Sequence, residues 1–501
     1  MKDFQDKLVA AWTDYVAGKI DAKALKGASA GFGIYQQRDD KTMMRIRRVG
    51  GLVTTDDLRN VAGILSARAG GYAHLTTRQD IQLHGIPAEN VTAALEDCET
   101  KGFPFRGGGG DTFRNTRTSC YSGLRADSVF DVVPYAKSLS NAFYAFDLAY
   151  GLPRKLKIGF ADGPSEAYVA QSNDLGFLAK VVDGQRVFET YLAGGIGFKP
   201  QLGIKIFDAL PVEDCIRAAM ALTALFNDKG CRTNRAHARI RFLCEDFGDE
   251  GLVQLFHAYY EKTTDAPKAV PAEVVARPET AFPVDAPKAD GFEVWKALAV
   301  SPLANGLAAV RICVPFGNLT APELVNLANA LDTYGATRLE IIPTLDFGLV
   351  VPENQLAGVH AALAVLPGVD YVLRSFVGNV RTCIGCTVCK SGITDAPSIG
   401  RKVAEYFDAK YRPLDTPEKI AVARALLNDV SISGCPNSCT TQQLMKLGFS
   451  GRKLNGADAE TTYSAGSISP AALGAADAAC AAIPAEDFPA HVEKAILGLL
   501  Q

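Results

Sequence analysis

The sequence repeats one pattern of strands and a helix at a fixed distance, and this repeat limits the fold more than any other feature. Three segments recur in the same order: Arg45–Gly51 as Arg311–Gly317, Val53–Leu58 as Leu319–Leu324, and Ala73–Ile81 as Leu339–Phe347. The offset is 266 residues in each pair, as between Arg45 and Arg311. A match over three elements at one offset indicates an internal duplication.

Each copy predicts a strand, a turn, a capped helix and further strand. In the first copy, Thr54 to Asp57 form an N-terminal cap before helically spaced apolar residues, and Gly70-Gly71 ends the helix. Ala73–Ile86 then fits a strand pair or one long strand.

The two copies differ in their polar residues. Four side chains of the first copy are replaced in the second: Arg47 by Cys313, Arg78 by Thr344, Gln82 by Gly348, and His84 by Val350. A ligand held between the halves would therefore draw its charged contacts mainly from the first copy.

Cysteines cluster in two short motifs late in the chain. Cys383 and Cys389 have the spacing C-x5-C, Cys435 and Cys439 the spacing C-x3-C, and Cys386 lies within the first motif. Four thiolates are what an iron–sulfur cube needs, so five thiols compete for four positions. Three alternatives are less consistent with this pattern. Structural zinc sites usually have more closely spaced cysteine pairs than the second motif. Disulfides are unusual in a long chain without a secretion signal, and buried free cysteines are usually scattered along the sequence. The spacing favours an iron–sulfur site over these three alternatives.

Four stretches place cationic side chains among apolar residues: Arg45–Arg48, His74–His84, Asp111–Asn115 and Leu152–Lys157. Alternation along a strand puts Arg45 and Arg47 on one face, and likewise Lys155 and Lys157. Any single stretch is typical of solvated charge on an edge strand. Together they would suit a polyanion, because arginine binds carboxylates in a bidentate manner and lysine carries a transferable proton.

Composition excludes several classes of function. The chain has 501 residues, 48% of them hydrophobic, which is enough for two or three domains. A net charge of -3 does not suggest a nucleic-acid partner.

Met1–Lys7 has no apolar signal core and no apolar stretch approaches membrane-spanning length, so we expect a cytoplasmic protein with no membrane contact. Gly107–Asp111 lacks the Gly-Lys-Ser/Thr ending of a phosphate loop, and no dinucleotide fingerprint is evident, so electrons must come from a separate donor.

The cysteine motifs resemble those of the sulfite and nitrite reductases that carry a siroheme coupled to a 4Fe-4S cluster. The family has the same two spacings, with a glycine where Gly385 stands. The resemblance implies four cluster ligands, namely Cys383, Cys389, Cys435 and Cys439, and implies that Cys439 also bridges to the siroheme iron. Cys386 falls at a position that is not a ligand in the family.

The cationic stretches are similar to motifs of the same family, in the same order. The resemblance implies that substrate binding and proton donation fall to Arg45, Arg114, Lys155 and Lys157. It implies siroheme contacts from Arg47, Arg78, Gln82, His84, Asn115, Asn437 and Cys439, and it extends to Arg232–Arg239. Two residues depart from the pattern: His74 stands where the sulfite reductases have an arginine, and Thr440 where glycine is common.

The duplication and the resemblance together predict an α+β fold with pseudo-twofold symmetry, in which two ferredoxin-like repeats form one domain flanked by two α/β lobes. The expected divisions are an N-terminal arm at 1–35, a first repeat at 36–100, a siroheme-binding lobe at 101–262, a linker at 263–292, a second repeat at 293–370, and a cluster- and siroheme-binding lobe at 371–501.

The function that the resemblance implies is the six-electron reduction of sulfite to sulfide. Nitrite reduction to ammonia at the same site is the alternative; Lys157 favours sulfite, because the plant-type nitrite reductases resemble Arg-Lys-Trp-Asn at this motif. A cobalamin-pathway precorrin monooxygenase shares the cluster motifs, and an electron-transfer module is a further class. The expected donor is a ferredoxin or a flavoprotein.

Overall fold

The computed structural model of the protein describes residues 2–369, 371–464, 466–476 and 482–501. The expected division at residue 370 lies outside these residues. The helices of the described residues are α1 (Lys2–Val16), α2 (Ala22–Ser29), α3 (Thr55–Ile64), α4 (Val91–Thr100), α5 (Val133–Tyr144), α6 (Tyr168–Gln171), α7 (Cys215–Lys229), α8 (Leu243–Phe247), α9 (Asp249–Lys262), α10 (Phe292–Ala299), α11 (Ala321–Asp332), α12 (Leu356–Ala364), α13 (Ala396–Tyr411), α14 (Pro417–Asp429) and α15 (Phe488–Leu500). Within this part of the chain, no helix combines the length and apolar character needed to cross a bilayer.

The strands are short, and in the part of the chain that the structure describes most of them belong to four five-stranded sheets. They are β1 (Ile34–Gln36), β2 (Thr42–Ile46), β3 (Leu52–Thr54), β4 (Ala73–Leu75), β5 (Ile81–Ile86), β6 (Arg117–Thr118), β7 (Ile158–Ala161), β8 (Leu175–Val182), β9 (Gln185–Leu192), β10 (Ile204–Pro211), β11 (Val300–Pro302), β12 (Leu307–Ile312), β13 (Asn318–Leu319), β14 (Arg338–Ile342), β15 (Asp346–Pro352), β16 (Val430–Ser433), β17 (Leu447–Leu454), β18 (Ala457–Ser464), β19 (Ser467–Ile468), β20 (Ala471–Ala472), β21 (Ala475–Ala476) and β22 (Ile483–Pro484).

The two repeats form paired sheets that exchange one strand each. The first sheet has the order β1-β2-β5-β4-β13 and the second the order β11-β12-β15-β14-β3. Strand β13 of the second repeat thus completes the sheet of the first, while β3 of the first repeat completes the sheet of the second. Helices α3 and α11 pack against each other across the same junction. The duplicated α+β fold is confirmed, and the exchange makes the two copies one folding unit.

The predicted helix of the first repeat is confirmed together with its cap. Thr54 Oγ1 accepts from the backbone N–H of Asp57 at 3.1 Å, and Asp57 Oδ2 accepts from the N–H of Thr54 at 2.8 Å. Thr320 and Glu323 form the same reciprocal cap on α11. The segment after the helix is a strand pair, β4 and β5, joined by a turn in which Gln79 has a positive φ of 64°.

Two lobes extend from this double repeat. The first is built on the sheet β10-β9-β8-β7-β6, and the second on β16-β17-β18-β21. The first has its own apolar core, formed around Phe160, Phe177 and Phe188. Strand β7 leads out of the Leu152–Lys157 stretch and β16 leads into the second cysteine motif, so each lobe directs one functional segment toward the junction.

Residues 263–291 carry no helix or strand. The segment first contacts the first lobe, where the N–H of Ala269 donates to the Glu213 carbonyl at 2.7 Å, and then contacts the second repeat. Phe282 stacks on Tyr334 with ring centroids 4.4 Å apart, and Arg277 forms an ion pair with Glu340 at 3.0 Å. The face of the second repeat that corresponds to Gln82 is closed by Tyr121, since a Cβ on Gly348 would lie 2.4 Å from the Tyr121 hydroxyl. The corresponding face of the first repeat is therefore the one that can accommodate a ligand.

Candidate active site

Backbone pairing brings the two cysteine motifs together. Thr382 and Ile432 form a parallel bridge, so the chain enters both motifs side by side. The backbone N–H of Gly434 donates to Cys383 Sγ at 3.1 Å, the kind of contact that stabilises a thiolate. The turn after β16 leaves Cys439 accessible to solvent although protein atoms surround it closely, and Thr77 of the first repeat donates to the Cys439 carbonyl at 2.7 Å.

Electrostatic interactions link four of the five thiols. Burial, followed by the charge of Cys439, raises the pKa of Cys383, and burial followed by the charges of Cys435 and Cys389 raises the pKa of Cys439. The N–H of Cys386 donates to the Thr394 carbonyl, and its thiol acts on Lys453, whose pKa is raised mainly by a hydrogen bond to Asp458. The four linked thiols are those that the resemblance implies as cluster ligands.

The described residues contain no group of three or more His, Cys, Asp or Glu side chains that could hold one metal ion. In a 4Fe-4S cube each iron takes one cysteine, so the four ligands surround the cluster without converging on a single atom.

A cation-lined pocket lies beside Cys439. Arg45 is on β2, directly opposite Gln82 on β5. Phe113 pairs with Leu156 in a parallel bridge, which places Arg114 beside the segment that carries Lys155 and Lys157. Both lysines interact electrostatically with Cys439, so the pocket lies next to the second cysteine turn.

The pocket has more positive than negative charge. Burial, followed by the charges of Arg239 and Arg114, lowers the pKa of Lys155 to about 7. Burial and then Lys155 lower the pKa of Lys157 well below its ordinary value. Within the described residues, neither lysine Nζ has a hydrogen-bond or ion-pair partner. Uncompensated cations in a buried site are expected where an anionic ligand completes the structure.

The pKa values of several arginines around the lysines are lowered as well. Burial is the main cause in each case: it lowers the pKa of Arg78 to about 9, that of Arg114 to about 10 and that of Arg241 to about 10. Two buried carboxylates face them, and burial raises the pKa of one, Asp80, to about 6. The second, Asp174, is bound by Arg239 at 2.8 and 2.9 Å.

Comparison with known proteins agrees with this geometry. Residues 35–100 match the family described as the nitrite/sulfite reductase ferredoxin-like half domain, and residues 109–264 match the nitrite and sulphite reductase 4Fe-4S domain. The two matched segments are nitrite and sulfite reductase domains.

The relatives of the chain include enzymes named for either anion. The chain is 25% identical over 474 residues to sulfite reductase (ferredoxin) 1 of Mycolicibacterium paratuberculosis, covering 88% of this chain and 78% of that one. It is 27% identical over 427 residues to ferredoxin–nitrite reductase of Synechococcus elongatus, covering 82% and 76%. The structure of the Mycobacterium tuberculosis NirA protein has the same fold, with a TM-score of 0.76, 22% identity, and coverage of 95% of this chain and 87% of that one.

The family carries a siroheme and a 4Fe-4S cluster, and the residues present fit both groups. For the cluster, the fit rests on four mutually interacting thiols and the N–H donor of Gly434. For the siroheme, whose periphery bears many carboxylates, it rests on unpartnered buried nitrogens. The buried Nε atoms without a hydrogen-bond partner include those of Arg45, Arg78, Arg114, Arg239 and Arg241.

The remaining predicted siroheme residues fall into three groups. Asn437 is exposed in the cysteine turn, facing the same junction. Gln82 and His84 hydrogen-bond to each other at 2.9 Å on β5. Arg47 and Asn115 support the pocket from behind: Arg47 donates to the carbonyls of Arg106 and Arg114, and Asn115 donates to those of Arg48 and Arg78.

His74, which stands where the sulfite reductases have an arginine, is bound by a residue of the second repeat. His74 Nδ1 lies 2.7 Å from Asn318 Oδ1, and Asn318 is on the exchanged strand β13. Burial lowers the pKa of His74 to about 4, so this residue is neutral at pH 7. A cation stands here in the sulfite reductases to which the motif is similar, whereas this chain provides a neutral imidazole.

Three pocket residues were not predicted from the sequence. Asp174 Oδ2 accepts from the N–H of Lys157 at 2.8 Å while its carboxylate holds Arg239, so it positions two cations at once. Asp80 lies 3.9 Å from Arg45. Thr77 reaches the cysteine turn. Asp80 and Thr77 lie inside a stretch that was recognised, but nothing in the sequence around Asp174 distinguishes it.

Proposed function

We propose that the protein reduces sulfite to sulfide by six electrons, and that the same site reduces nitrite to ammonia as a second activity. The observation that carries this proposal is the pair of unpartnered lysines beside Cys439, flanked by Arg45 and Arg114. A small oxyanion would offset their charge, and its oxygens would accept their protons.

The side chains divide the work by their chemistry. The siroheme and the cluster, when bound, supply the electrons one at a time. The guanidinium groups of Arg45 and Arg114 orient the oxygens of the anion. Lys155 has a lowered pKa, which suits it to give up a proton near neutral pH, so that substrate oxygen leaves as water. Asp174 keeps the Lys157 segment and Arg239 in register.

Lys157 is the residue on which the preference for sulfite rests. We expect wild-type enzyme to have a higher kcat/KM for sulfite than for nitrite when one electron donor is used for both. Lys157→Asn removes a cation and a proton donor, and it should lower kcat/KM for sulfite by about 100-fold, within the usual range for general acid catalysis. The loss for nitrite should be smaller.

A matched control is Lys180→Asn, since Lys180 is half-exposed on β8 and pairs with Glu189 away from the pocket. This variant should leave both constants unchanged. A clear wild-type preference for nitrite would overturn the choice of sulfite, while leaving the reductase proposal intact.

The electron donor is external in this proposal, and a ferredoxin is the first choice. The first cysteine loop reaches the surface at Thr387–Ser391, and exposed cations surround it. Arg38 binds the carbonyls of Cys389 and Gly392, and Lys390 and Lys453 lie close by in the chain or in space. An acidic donor would be attracted to this surface.

A further inference from the structure

One arginine of the first repeat binds the loop that carries Cys389. Arg38 lies in the turn between β1 and β2, and its Nε donates to the Cys389 carbonyl at 3.2 Å. Its Nη2 donates to the carbonyls of Lys390 at 3.4 Å and Gly392 at 3.1 Å. The backbone N–H of Arg38 donates to the Val388 carbonyl at 3.1 Å. A single residue from the other end of the chain therefore holds four carbonyls of this loop.

The turn that presents Arg38 is itself tied to the first sheet. The N–H of Gln37 donates to the Lys41 carbonyl at 2.8 Å, which closes the turn. Asp39 Oδ1 accepts from Gln37 Nε2 at 3.1 Å and from the Lys41 N–H at 3.3 Å. Gln37 Oε1 accepts from the N–H of Gly85 at 3.1 Å, on β5. The guanidinium group is therefore presented from a turn anchored to β5, the strand that also carries His84.

The loop itself supplies little support for Cys389. It has no helix or strand. Its own backbone bonds include one from the N–H of Cys389 to the Gly385 carbonyl at 2.9 Å and one from the N–H of Gly392 to the Cys389 carbonyl at 3.0 Å. Cys383, by contrast, directly follows Thr382, which forms a backbone bridge with β16. The position of Cys389 therefore depends on a contact from outside its loop.

We propose that Arg38 is a positioning residue that clamps this loop onto the first repeat and so keeps the Cys389 thiolate on its iron. The proposal rests on the proposed function for the assignment of Cys389 as a cluster ligand. Arginine suits the role because its planar group donates in several fixed directions, whereas lysine is a flexible point charge. The clamp is a second role for a residue that also contributes to the proposed donor surface.

Oxidation reveals how firmly Cys389 is held. Ferricyanide takes one electron from a 4Fe-4S cluster and becomes ferrocyanide. A loosely held cysteine then leaves and takes up a proton, one ferrous ion is released, and a three-iron cluster remains. The rate at which ferrous ion appears therefore reports on the weakest of the four ligands, independently of turnover.

Two substitutions of one residue separate a clamp from the effect of charge. Arg38→Gln removes the charge and the bonds, whereas Arg38→Lys keeps the charge but cannot reach the same set of carbonyls. A clamp predicts that both variants release ferrous ion about five-fold faster than wild type, the effect of losing one hydrogen bond. Charge alone predicts that Arg38→Lys behaves like wild type. Arg452→Gln is the matched control, because Arg452 is exposed on β17 next to Lys453, which interacts electrostatically with Arg38.

The measurement uses purified holoenzyme without oxygen, a ferricyanide addition, a coloured chelator of ferrous ion, and electron paramagnetic resonance of the three-iron cluster. Hydrogen exchange of residues 385–393 is followed in the same proteins. We expect Arg38→Gln and Arg38→Lys to release iron faster and to exchange faster in the loop, with exchange in β8 and β9 equal to wild type. Arg452→Gln should change neither. Each variant is repeated with Cys386→Ser, so that the fifth thiol cannot replace Cys389.

Three results would overturn the clamp. They are iron release in Arg38→Lys equal to wild type, loop exchange equal to wild type in both variants, and a higher KM for the protein donor with iron release unchanged. The last would leave Arg38 with the donor surface alone. If wild-type protein contains no 4Fe-4S cluster, the proposed function fails, while hydrogen exchange still decides whether Arg38 holds the loop.

Discussion

One pair of residues shows how the duplication was adapted at the level of single side chains. Arg311 and Asp346 of the second repeat form a tight pair at 2.6 Å, and Asp346 also accepts from the N–H of Val314 at 2.8 Å. Their counterparts in the first repeat, Arg45 and Asp80, are 3.9 Å apart because Arg45 reaches the Gly108 carbonyl. The same pair is a structural tie in one copy and part of an anion pocket in the other.

Matched substitutions test this division. Asp346→Asn leaves a buried guanidinium unpaired and should lower the free energy of unfolding by about 3 kcal/mol or more. Asp80→Asn should lower it by less than about 1 kcal/mol, because its pair is already loose. Removing the Asp80 charge should instead strengthen phosphate binding, while Asp346→Asn leaves binding unchanged. Chemical denaturation and calorimetry measure the two effects, and equal stability losses would contradict the account.

The buried side chain of Glu460 makes the stability of the protein depend on pH. Its side chain is buried on β18, with one oxygen bonded to Thr394 at 3.1 Å and the other without a partner. Burial raises its pKa from the ordinary 4.5 to about 8. Between these pH values the folded state holds a proton that the unfolded state has lost, so the free energy of unfolding falls as pH rises through this window.

Glu460→Gln should flatten that fall, since glutamine does not titrate; each unit of pKa shift corresponds to about 1.4 kcal/mol. The readout is the difference in Tm between variant and wild type at a series of pH values from 5 to 9. The exposed Glu486 provides the control variant, Glu486→Gln, whose Tm should follow wild type. A difference curve that does not change with pH would show that Glu460 is not protonated in the folded protein.

At the scale of elements, the exchanged strands explain why certain glycines occur at the junction. Gly51 precedes β3 with a φ of +70°, and a Cβ there would lie 2.5 Å from the Ile341 carbonyl oxygen of the other repeat. Gly317 precedes β13 with a φ of +72°, and a Cβ there would lie 3.2 Å from the Leu75 carbonyl oxygen of the first repeat. Each turn brings the backbone of one repeat against the other, which a side chain would prevent.

Gly51→Ala should therefore destabilise the protein more than Gly70→Ala. Gly70 has a φ of +66° but open space around it, so alanine there adds only the left-handed strain of about 1–2 kcal/mol. At Gly51 the same strain is joined by a collision with backbone. Thermal unfolding of the two variants gives the comparison, and an equal loss at both positions would show that the junction can relax.

The elements that local patterns encode could be predicted, and the partners of those elements could not. Thr54 and Asp57 mark the start of α3, and Gly70 marks the end of the helical turns that continue after α3 through Leu65–Ala69, because capping depends on neighbours in sequence. The exchange of β3 and β13 depends on pairs such as Val53 with Leu339 and His74 with Asn318, which lie far apart in the sequence, and periodicity does not predict such pairs. At the site, the cysteine spacing and the cationic motifs led to the predicted site residues, whereas the contacts of Asp174 with Lys157 and Arg239 depend on the folded chain.

At the scale of the whole molecule, the proposed donor surface and the proposed anion pocket are formed by different residues. The cysteine loop Thr387–Ser391 reaches the surface among Arg38, Lys390 and Lys453, whereas the proposed pocket is formed by Arg45, Arg114, Lys155 and Lys157. We therefore expect substitutions at the donor surface to affect the donor and not the anion.

Charge reversal at the donor surface tests this arrangement. Lys390→Glu should raise KM for a reduced acidic ferredoxin several-fold, with a larger effect at low salt, because exposed charges act through steering. Turnover with reduced methyl viologen should not change, since a small reductant needs no docking surface. Lys262→Glu, at the end of α9 in the first lobe, is the control. An equal loss with both reductants would place the defect in the site rather than in docking.

The central claim is that the cationic pocket beside Cys439 serves a siroheme coupled to a 4Fe-4S cluster. Its most direct test is the absorption spectrum of purified protein, as isolated and during titration with sulfite under reducing conditions. We predict siroheme bands that shift saturably with sulfite. A plain iron–sulfur spectrum that sulfite does not change, from protein made in a host that synthesises siroheme, would contradict the claim and favour the precorrin monooxygenase or an electron carrier.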